Sequence, residues 1–188
     1  MFAAAFPNDP QPITIENIAN AISAYERTLL TPSPFDTYLA GNQEALSPAA
    51  RAGLAKFINT GCVTCHNGIG VGGAMYQKFG VVEDYWTATG SDPIDKGRAD
   101  VTKDPADLYV FRVASLRNVA MTPPYFHDGS VATLPEAVKI MARVQLGISL
   151  NDVDTGDVVA FLESLTGELP ADFATAPVLP SGAVVTSK

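Results

Sequence analysis

Apolar positions recur at helical spacing in four stretches of the chain, and each stretch carries a helix start or stop signal. The first stretch follows Thr14, a favourable N-cap, and predicts an amphipathic helix over 15–30. The second begins at Ser47-Pro48, where an N-cap precedes a proline at the first helical position, and leads into 61–66. Both are expected to be helices with one buried face.

Two further helices are predicted nearer the C-terminal end. Thr133 and Glu136 have the spacing of a capping box and open a helix that runs to about Val144. The apolar stripe 158–165 predicts the last helix, which Gly167 stops. The expected fold class is therefore mainly α.

The segment between these pairs of helices, 67–132, is rich in Gly, Pro and Asp. So much irregular chain is unusual in a compact domain unless the loops pack against a large cofactor. The length of 188 residues and the apolar share of 47% suffice for one substantial core. We assign 1–170 to one domain and 171–188 to an extended tail.

Charge and cysteine content exclude several classes of protein. Twelve basic and twenty acidic residues give a formal net charge of −8, which argues against a nucleic-acid partner. No apolar run approaches the roughly 18 residues of a membrane span, and no signal peptide is visible. Only two cysteines are present, three positions apart, so a disulfide scaffold is excluded.

The two cysteines belong to the sequence Gly61-Cys62-Val63-Thr64-Cys65-His66, the C-x-x-C-H pattern of covalent c-type haem attachment. Each thiol can add to one haem vinyl group, and the imidazole that follows is held beneath the iron as its proximal ligand. A thioredoxin-like pair needs no histidine at that position, and a four-ligand zinc site needs donors that this chain lacks. The motif therefore predicts one covalently attached haem c.

Four side chains are candidates for the opposite face of the iron: Met75, Met121, Met141 and His127. Met75 is close in sequence to the haem motif, which disfavours it. Spacing alone does not choose between Met121, in a loop before two prolines, and Met141, in the third helix. A second histidine would give a lower reduction potential than a methionine.

Several blocks of sequence, in order, carry a family resemblance. They are AFPNDPQPITIENIANAISAYERTLLTPSPFDTYLAGNQEALS, GCVTCHNG, FRVASLRNVAMTPPYFHDGSVATLPEAV, and IMARVQLG followed by VVAFLESLTGELP. Along nearly its whole length the chain resembles the C-terminal half of bacterial di-haem cytochrome c peroxidases. The resemblance implies a cytochrome c-like haem domain. In that family an N-terminal haem reacts with peroxide, and a high-potential His/Met-ligated C-terminal haem receives electrons.

The resemblance also implies roles for individual residues. Cys62 and Cys65 become the thioether attachments, His66 the proximal ligand and Met141 the distal ligand. Arg117 and Asn118 are expected to contact the haem propionates or to organise their loop, and a surface salt bridge is an equally favoured interpretation of Arg117.

The loop after Arg117 carries a second implied site. His127 resembles a loop-organising residue, not an iron ligand. The family holds a calcium ion between its two haem domains, and the corresponding backbone oxygens here are those of Thr122 and Pro124. A further calcium ligand comes from the other domain.

The partner molecules follow from the same resemblance. The N-terminal peroxidatic haem domain is absent from this chain, so we expect an electron-entry module that serves it. The donor is a monohaem cytochrome c or a cupredoxin, and a homodimer is a further expected assembly. A self-standing monohaem electron carrier is the alternative, while a relative with a distal tyrosine is disfavoured by Met141.

Haem c is attached outside the bacterial cytoplasm, so a periplasmic location is expected. We therefore expect the chain to be a processed or truncated piece of a longer protein. Trp86 is interpreted as a packing residue in preference to an electron relay. The aspartates near it do not match the twelve-residue calcium loop pattern.

Overall fold

The structure, a computed structural model, describes residues 1–29 and 31–169. It divides into two compact units, Met1–Thr31 and Pro32–Lys188. The predicted tail 171–188 lies outside the described residues, and the division into 1–170 and 171–188 stays a prediction. No helix in the described ranges has the length and apolarity needed to cross a bilayer.

The first unit contains helices α1, Phe2–Ala5, and α2, Ile15–Glu26. Thr14 caps α2 as predicted, since its hydroxyl oxygen accepts from the backbone N–H of Asn17 at 3.1 Å. Two expectations for this helix are wrong: it ends at Glu26, earlier than position 30, and its apolar face is not buried within the described residues. The side chains of that face are exposed: Ile15, Ile18, Ile22 and Tyr25. The N–H groups of Thr28 and Leu29 bond three residues back, so the chain leaves the α-helical pattern after Glu26.

The second unit contains the remaining elements. Its helices are α3 (Pro34–Leu39), α4 (Pro48–Asn59), α5 (Tyr85–Thr89), α6 (Ala99–Thr102), α7 (Leu134–Leu146) and α8 (Asp152–Glu163). Its strands are β1 (Tyr76–Lys78) and β2 (Val110–Arg112), which pair antiparallel with Tyr76 opposite Arg112 and Lys78 opposite Val110. Short 3₁₀ turns occupy Gln43–Ala45, Cys62–Thr64, Pro105–Asp107 and Val119–Met121. The mainly helical fold class is confirmed.

The caps predicted from sequence start the long helices. Ser47 accepts from the N–H of Ala50 at 3.1 Å, and Thr133 accepts from that of Glu136 at 3.4 Å. At the other end α7 stops at Gly147, which adopts φ +67 in the left-handed region that glycine tolerates.

Helices α4 and α8 pack closely and form the main core. The rings of Phe57 on α4 and Phe161 on α8 lie 5.2 Å apart, and both are buried. Gly53 makes this approach possible, because a Cβ there would lie 1.8 Å from the carbonyl oxygen of Asp157. Val158, Leu162 and Leu165 complete the same cluster.

The segment 67–132 is ordered around a second core, not around long helices. Phe79 and the fully buried Tyr85 stack at 4.7 Å and pack with Val144 of α7. The Tyr85 hydroxyl donates to the Asp95 carbonyl at 3.0 Å and accepts from the Asp95 N–H at 3.1 Å. Trp86 packs against this cluster, with its ring 4.6 Å from that of Tyr109.

The close approach of α4 and α8 generates a matched pair of variants. Gly53→Ala should lower the free energy of unfolding by about 1–3 kcal/mol, because the new methyl group must displace backbone. Gly156→Ala on α8 meets nothing within 4 Å and should raise that free energy by about 0.5–1 kcal/mol. Urea denaturation followed by far-UV circular dichroism measures both. Equal midpoints for Gly53→Ala and the unmodified chain would contradict the packing described.

Candidate functional site

The second unit encloses a largely apolar cavity of about 630 Å³. The end of α4 with the segment 60–66 lines the cavity, and so does α7. Strands β1 and β2, the segment 113–127 and side chains of α8 close the remaining sides. The volume is within the range of protein sites for small organic ligands and cofactors.

The C-x-x-C-H motif forms a tight turn at the cavity wall. Gly61 has φ +97 and ends the run from α4, after which Cys62–Thr64 form a 3₁₀ turn. The N–H groups of Cys65 and His66 both donate to the Cys62 carbonyl, at 3.2 and 3.0 Å. Both cysteines are free thiols that line the cavity, and burial raises the pKa of the Cys62 thiol. The turn therefore presents both thiols and the imidazole to one space.

The orientation of His66 is set by a distant backbone oxygen. Its Nδ1 lies 3.2 Å from the carbonyl oxygen of Ala114, which can only accept, so the proton of the neutral ring is on Nδ1. Burial lowers the pKa of His66, which favours that neutral form. Nε2 is then left as a lone-pair donor for a metal.

Gly72 allows this contact. It has φ +123, and a Cβ at that position would lie 2.1 Å from the Ala114 carbonyl oxygen and 3.1 Å from His66 Nδ1. Glycine is therefore required where the loop after the motif passes between these groups.

Two of the four candidate distal ligands line the cavity. Met141 projects from α7 and packs with the cluster of Phe79, Tyr85 and Val144. His127 also lines the cavity. Its ring stacks on that of Phe111 with centroids 4.2 Å apart, and Nε2 is 3.9 Å from an Asp95 carboxylate oxygen.

The other two candidates lie elsewhere. Met121 is 69% exposed in the 3₁₀ turn, and neither it nor Met75 lines the cavity. Of the four candidates for the distal iron ligand, Met141 and His127 therefore line the cavity, whereas Met75 and Met121 do not.

Arg117 is engaged outside the cavity lining. Its guanidinium donates to both carboxylate oxygens of Asp36 at 2.6 and 2.7 Å, to Ser33 Oγ at 3.0 Å and to the Ile69 carbonyl at 2.9 Å. Hydrogen bonding from Arg117 lowers the pKa of Asp36 to about 2. Arg117 therefore forms a salt bridge with Asp36, one of the three roles expected for it, and this pair links α3 to the loop after the haem motif. Its expected contact with the haem propionates stays a prediction.

Thr122 and Pro124 both line the cavity, and the Thr122 hydroxyl donates to the Val119 carbonyl at 3.2 Å. Within the described ranges, no group of three or more His, Cys, Asp or Glu side chains is placed to hold a metal ion. The calcium site expected at these two backbone oxygens stays a prediction.

Many of the cavity-lining residues could not be assigned to the site from the sequence, and the polar and charged ones among them include Gln145, Lys78 and Arg112. Gln145, one turn beyond Met141, accepts from the N–H groups of Gly80 and Val81 at 2.5 and 3.2 Å. It also donates to the Lys78 carbonyl at 3.0 Å, so it fastens the β1 end to α7. No local pattern distinguishes any of the three from an ordinary surface residue.

The residues of the cavity fit a covalently held haem. Two thiols at the required spacing, an imidazole with Nε2 available and a thioether on α7 share one apolar space. None of the residues lining the cavity is an aspartate or a glutamate. That arrangement suits a large apolar macrocycle with a metal at its centre.

Comparison with known proteins agrees with this chemistry. A family model described as di-haem cytochrome c peroxidase matches residues 1–44. A cytochrome c551 peroxidase of Pseudomonas aeruginosa is 47% identical over 188 residues, 100% of this chain and 54% of that protein. One of Nitrosomonas europaea is 46% identical over 180 residues, 95% of this chain and 52% of that protein. The chain spans about half the length of these relatives, in their C-terminal part.

A solved structure shares the fold. The crystal structure of a MauG-like protein associated with microbial copper homeostasis matches with a TM-score of 0.67 and 31% identity. The match covers 89% of this chain and 57% of that one.

The Arg117–Asp36 pair predicts a pH dependence of stability. Because the pKa of Asp36 in the folded chain is lowered from 3.8 to about 2, its stabilising contribution is present above 3.8 and is lost as pH falls towards 2. The difference in unfolding free energy between the unmodified chain and Asp36→Asn should therefore shrink between pH 6 and pH 3. Asp152→Asn, which removes an exposed pair with Lys139, should change stability little at any of these pH values. Urea titrations at each pH measure both, and a constant Asp36→Asn difference would refute the coupling.

Proposed function

Because the chain belongs to the di-haem cytochrome c peroxidase family, we propose that it is the high-potential haem domain of such a peroxidase. In this role it takes electrons from a small redox protein and passes them to a second, peroxide-reducing haem in an N-terminal domain. The observation that carries the proposal is the cavity itself. Both motif thiols, His66 and Met141 line one space on different elements.

A bound haem c supplies one-electron redox chemistry, and the chain's own residues bind and orient it. Cys62 and Cys65 hold it through thioether bonds, on a turn that keeps both sulfurs at the cavity wall. His66 ligates through Nε2, because Nδ1 is committed to the Ala114 carbonyl.

Met141 is the proposed ligand on the opposite side. It lies on a capped helix whose contacts with the segment 78–83 limit its movement. Gln145 bonds to that segment, and the N–H of Val82 donates to the Val144 carbonyl at 2.9 Å. A thioether ligand in an apolar, restrained setting favours a higher reduction potential than a second imidazole.

The partners follow from the relatives and from charge. Two of the relatives are named cytochrome c551 peroxidase, which supports a small c-type cytochrome as donor, with a cupredoxin as the alternative. A net charge of −8 favours a basic donor and salt-dependent association. Two electrons and two protons convert one hydrogen peroxide to two waters in the N-terminal domain. A homodimer completes the proposed assembly.

We place this reaction in the periplasm, where c-type haem attachment is completed. A calcium ion at the backbone oxygens of Thr122 and Pro124, shared with the N-terminal domain, belongs to the same proposal. Both residues line the cavity in the segment 113–127.

The first test is steady-state peroxide reduction by the haem-loaded chain alone, normalised per haem, with a reduced small cytochrome as donor. We expect the haem to accept electrons from the donor without turnover of peroxide, because Met141 would ligate the iron and leave it no free coordination position for peroxide. Rapid turnover would overturn the proposal and make the single haem a peroxidase centre in its own right. Absence of electron transfer from any small cytochrome or cupredoxin would also contradict it.

The distal ligand is tested with two methionine variants. Met141→Leu keeps an apolar side chain of similar size but removes the sulfur, so the reduction potential should fall and the iron should bind added imidazole or cyanide. Met121→Leu, at an exposed position outside the cavity, should change neither property. Potentiometric titration and absorption spectroscopy measure both. Loss of the methionine-ligated spectrum in Met121→Leu alone would show that the assignment is wrong.

A further inference from the structure

The charged residues that line the cavity are not balanced in sign. Lys78 and Arg112 are the lysine and arginine among them, and no aspartate or glutamate accompanies them. The remainder of the lining is mostly apolar, with a few neutral polar groups. In a chain with a net charge of −8, the described lining of the cavity therefore differs in charge from the chain as a whole.

Strand pairing brings the two cations together. Lys78 lies opposite Val110 on β1–β2, and Arg112 lies opposite Tyr76. Lys78 and Tyr76 share one face of β1, and their partners share the same face of β2, because side chains alternate along a strand. Lys78 and Arg112 are therefore diagonal neighbours on one face, a spacing that long side chains can bridge.

Neither cation is committed to a carboxylate. Arg112 donates from Nε to the Gly73 carbonyl at 3.1 Å, and Lys78 Nζ lies 5.9 Å from the centre of the Tyr109 ring. Within 1–29 and 31–169, neither forms an ion pair. Arg117, by contrast, is held by Asp36 in a bidentate pair. Both cavity cations are exposed, as groups at the mouth of a cavity would be.

We propose that Lys78 and Arg112 bind the two propionate carboxylates of the haem, the role that sequence analysis allowed for Arg117. This rests on the proposed function, in which the haem occupies the cavity. A haem has an apolar macrocycle and two carboxylates on one edge. The apolar walls take the macrocycle, and the carboxylates lie where the lining supplies cations, through charge-assisted hydrogen bonds.

The expected electrostatic effect has a definite sign. Neighbouring cations stabilise ionised propionates and keep their pKa low. They also offset the negative charge that would otherwise favour the oxidised iron. Without these cations the reduction potential at neutral pH should fall. The pH range over which the potential changes as the propionates ionise should move to higher pH, because the propionate pKa rises.

Other titratable groups line the cavity and must be separated from the propionates. They are His66, His127, Tyr125 and the two motif thiols, which become thioethers when haem is attached. Asp95 adjoins His127 at 3.9 Å. A pH-dependent change in reduction potential caused by His127 would be absent in His127→Gln. It would keep its position on the pH scale in Lys78→Gln and Arg112→Gln.

The experiment measures reduction potential against pH, at fixed ionic strength, on the haem-loaded chain. Lys78→Gln, Arg112→Gln and the double variant should lower the potential and move its pH-dependent change to higher pH, with the largest shift in the double variant. Lys78→Arg and Arg112→Lys keep the charge and should restore the profile of the unmodified chain. Lys139→Gln removes an exposed cation on α7 outside the cavity lining and controls for net charge.

The outcomes distinguish failure of propionate binding by Lys78 and Arg112 from failure of the proposed function as a haem domain. A double variant with the profile of the unmodified chain overturns the inference, as does a shift seen in Arg117→Gln but not in the cavity variants. Failure of the unmodified chain to hold haem would instead overturn the proposed function. Haem content per chain, measured by absorbance, shows that a variant still folds around the cofactor. If a Gln variant binds too little haem to be measured, Lys78→Arg and Arg112→Lys are measured instead. Their reduction potentials must then equal those of the unmodified chain at every pH.

Discussion

The hydrogen bond between His66 Nδ1 and the carbonyl oxygen of Ala114 joins positions 48 residues apart and sets the geometry of the whole site. It determines which ring nitrogen carries the proton and therefore which nitrogen can reach a metal. Backbone hydrogen bonds on both sides of Ala114 stabilise this contact. The N–H of Gly73 donates to Val113 and that of Leu116 donates to Val71, at 2.9 and 3.2 Å. The loop after the motif is thereby fastened alongside the segment that carries Ala114.

The part of the cavity lining that α7 forms depends on this helix being held in place by more than its own cap. Gln145 and Val144 bond to the backbone of 78–83, and Arg143 forms an ion pair with Glu83 on the same segment. Met141 lies one turn earlier on this helix, so the contacts that retain the segment also restrain the thioether. A weak sulfur–iron bond is better supported by a rigid helix than by a free loop, because less conformational freedom is lost on ligation.

The charge of the residues that line the cavity differs in sign from the net charge of the chain. The chain is acidic, yet the charged side chains that line its cavity are cationic, while other cations are neutralised by carboxylates elsewhere. Lys56 and Arg98, for example, pair with Asp154 and Asp107. Net charge therefore bears on long-range association with other charged molecules, whereas the electrostatics of the cavity depend on which cations near it have no carboxylate partner.

Features that depend on neighbours three or four residues apart could be predicted from the amino-acid sequence. Caps at Thr14, Ser47 and Thr133 start helices where predicted, and the C-x-x-C-H motif forms a single turn. Such hydrogen bonds close within one turn, so local residue identity suffices to predict them. Helix ends, as at Glu26, were predicted less well.

Contacts between residues far apart in the chain became visible in the folded structure. It placed Met141 at the cavity and Met121 outside it, engaged Arg117 with Asp36 across 81 residues, and brought Lys78 beside Arg112 through a short strand pair. The physical reason is that such contacts depend on the packing of α4 against α8 and of 67–132 around Tyr85. Packing of that kind sums many weak long-range contacts that leave no periodic signal along the chain.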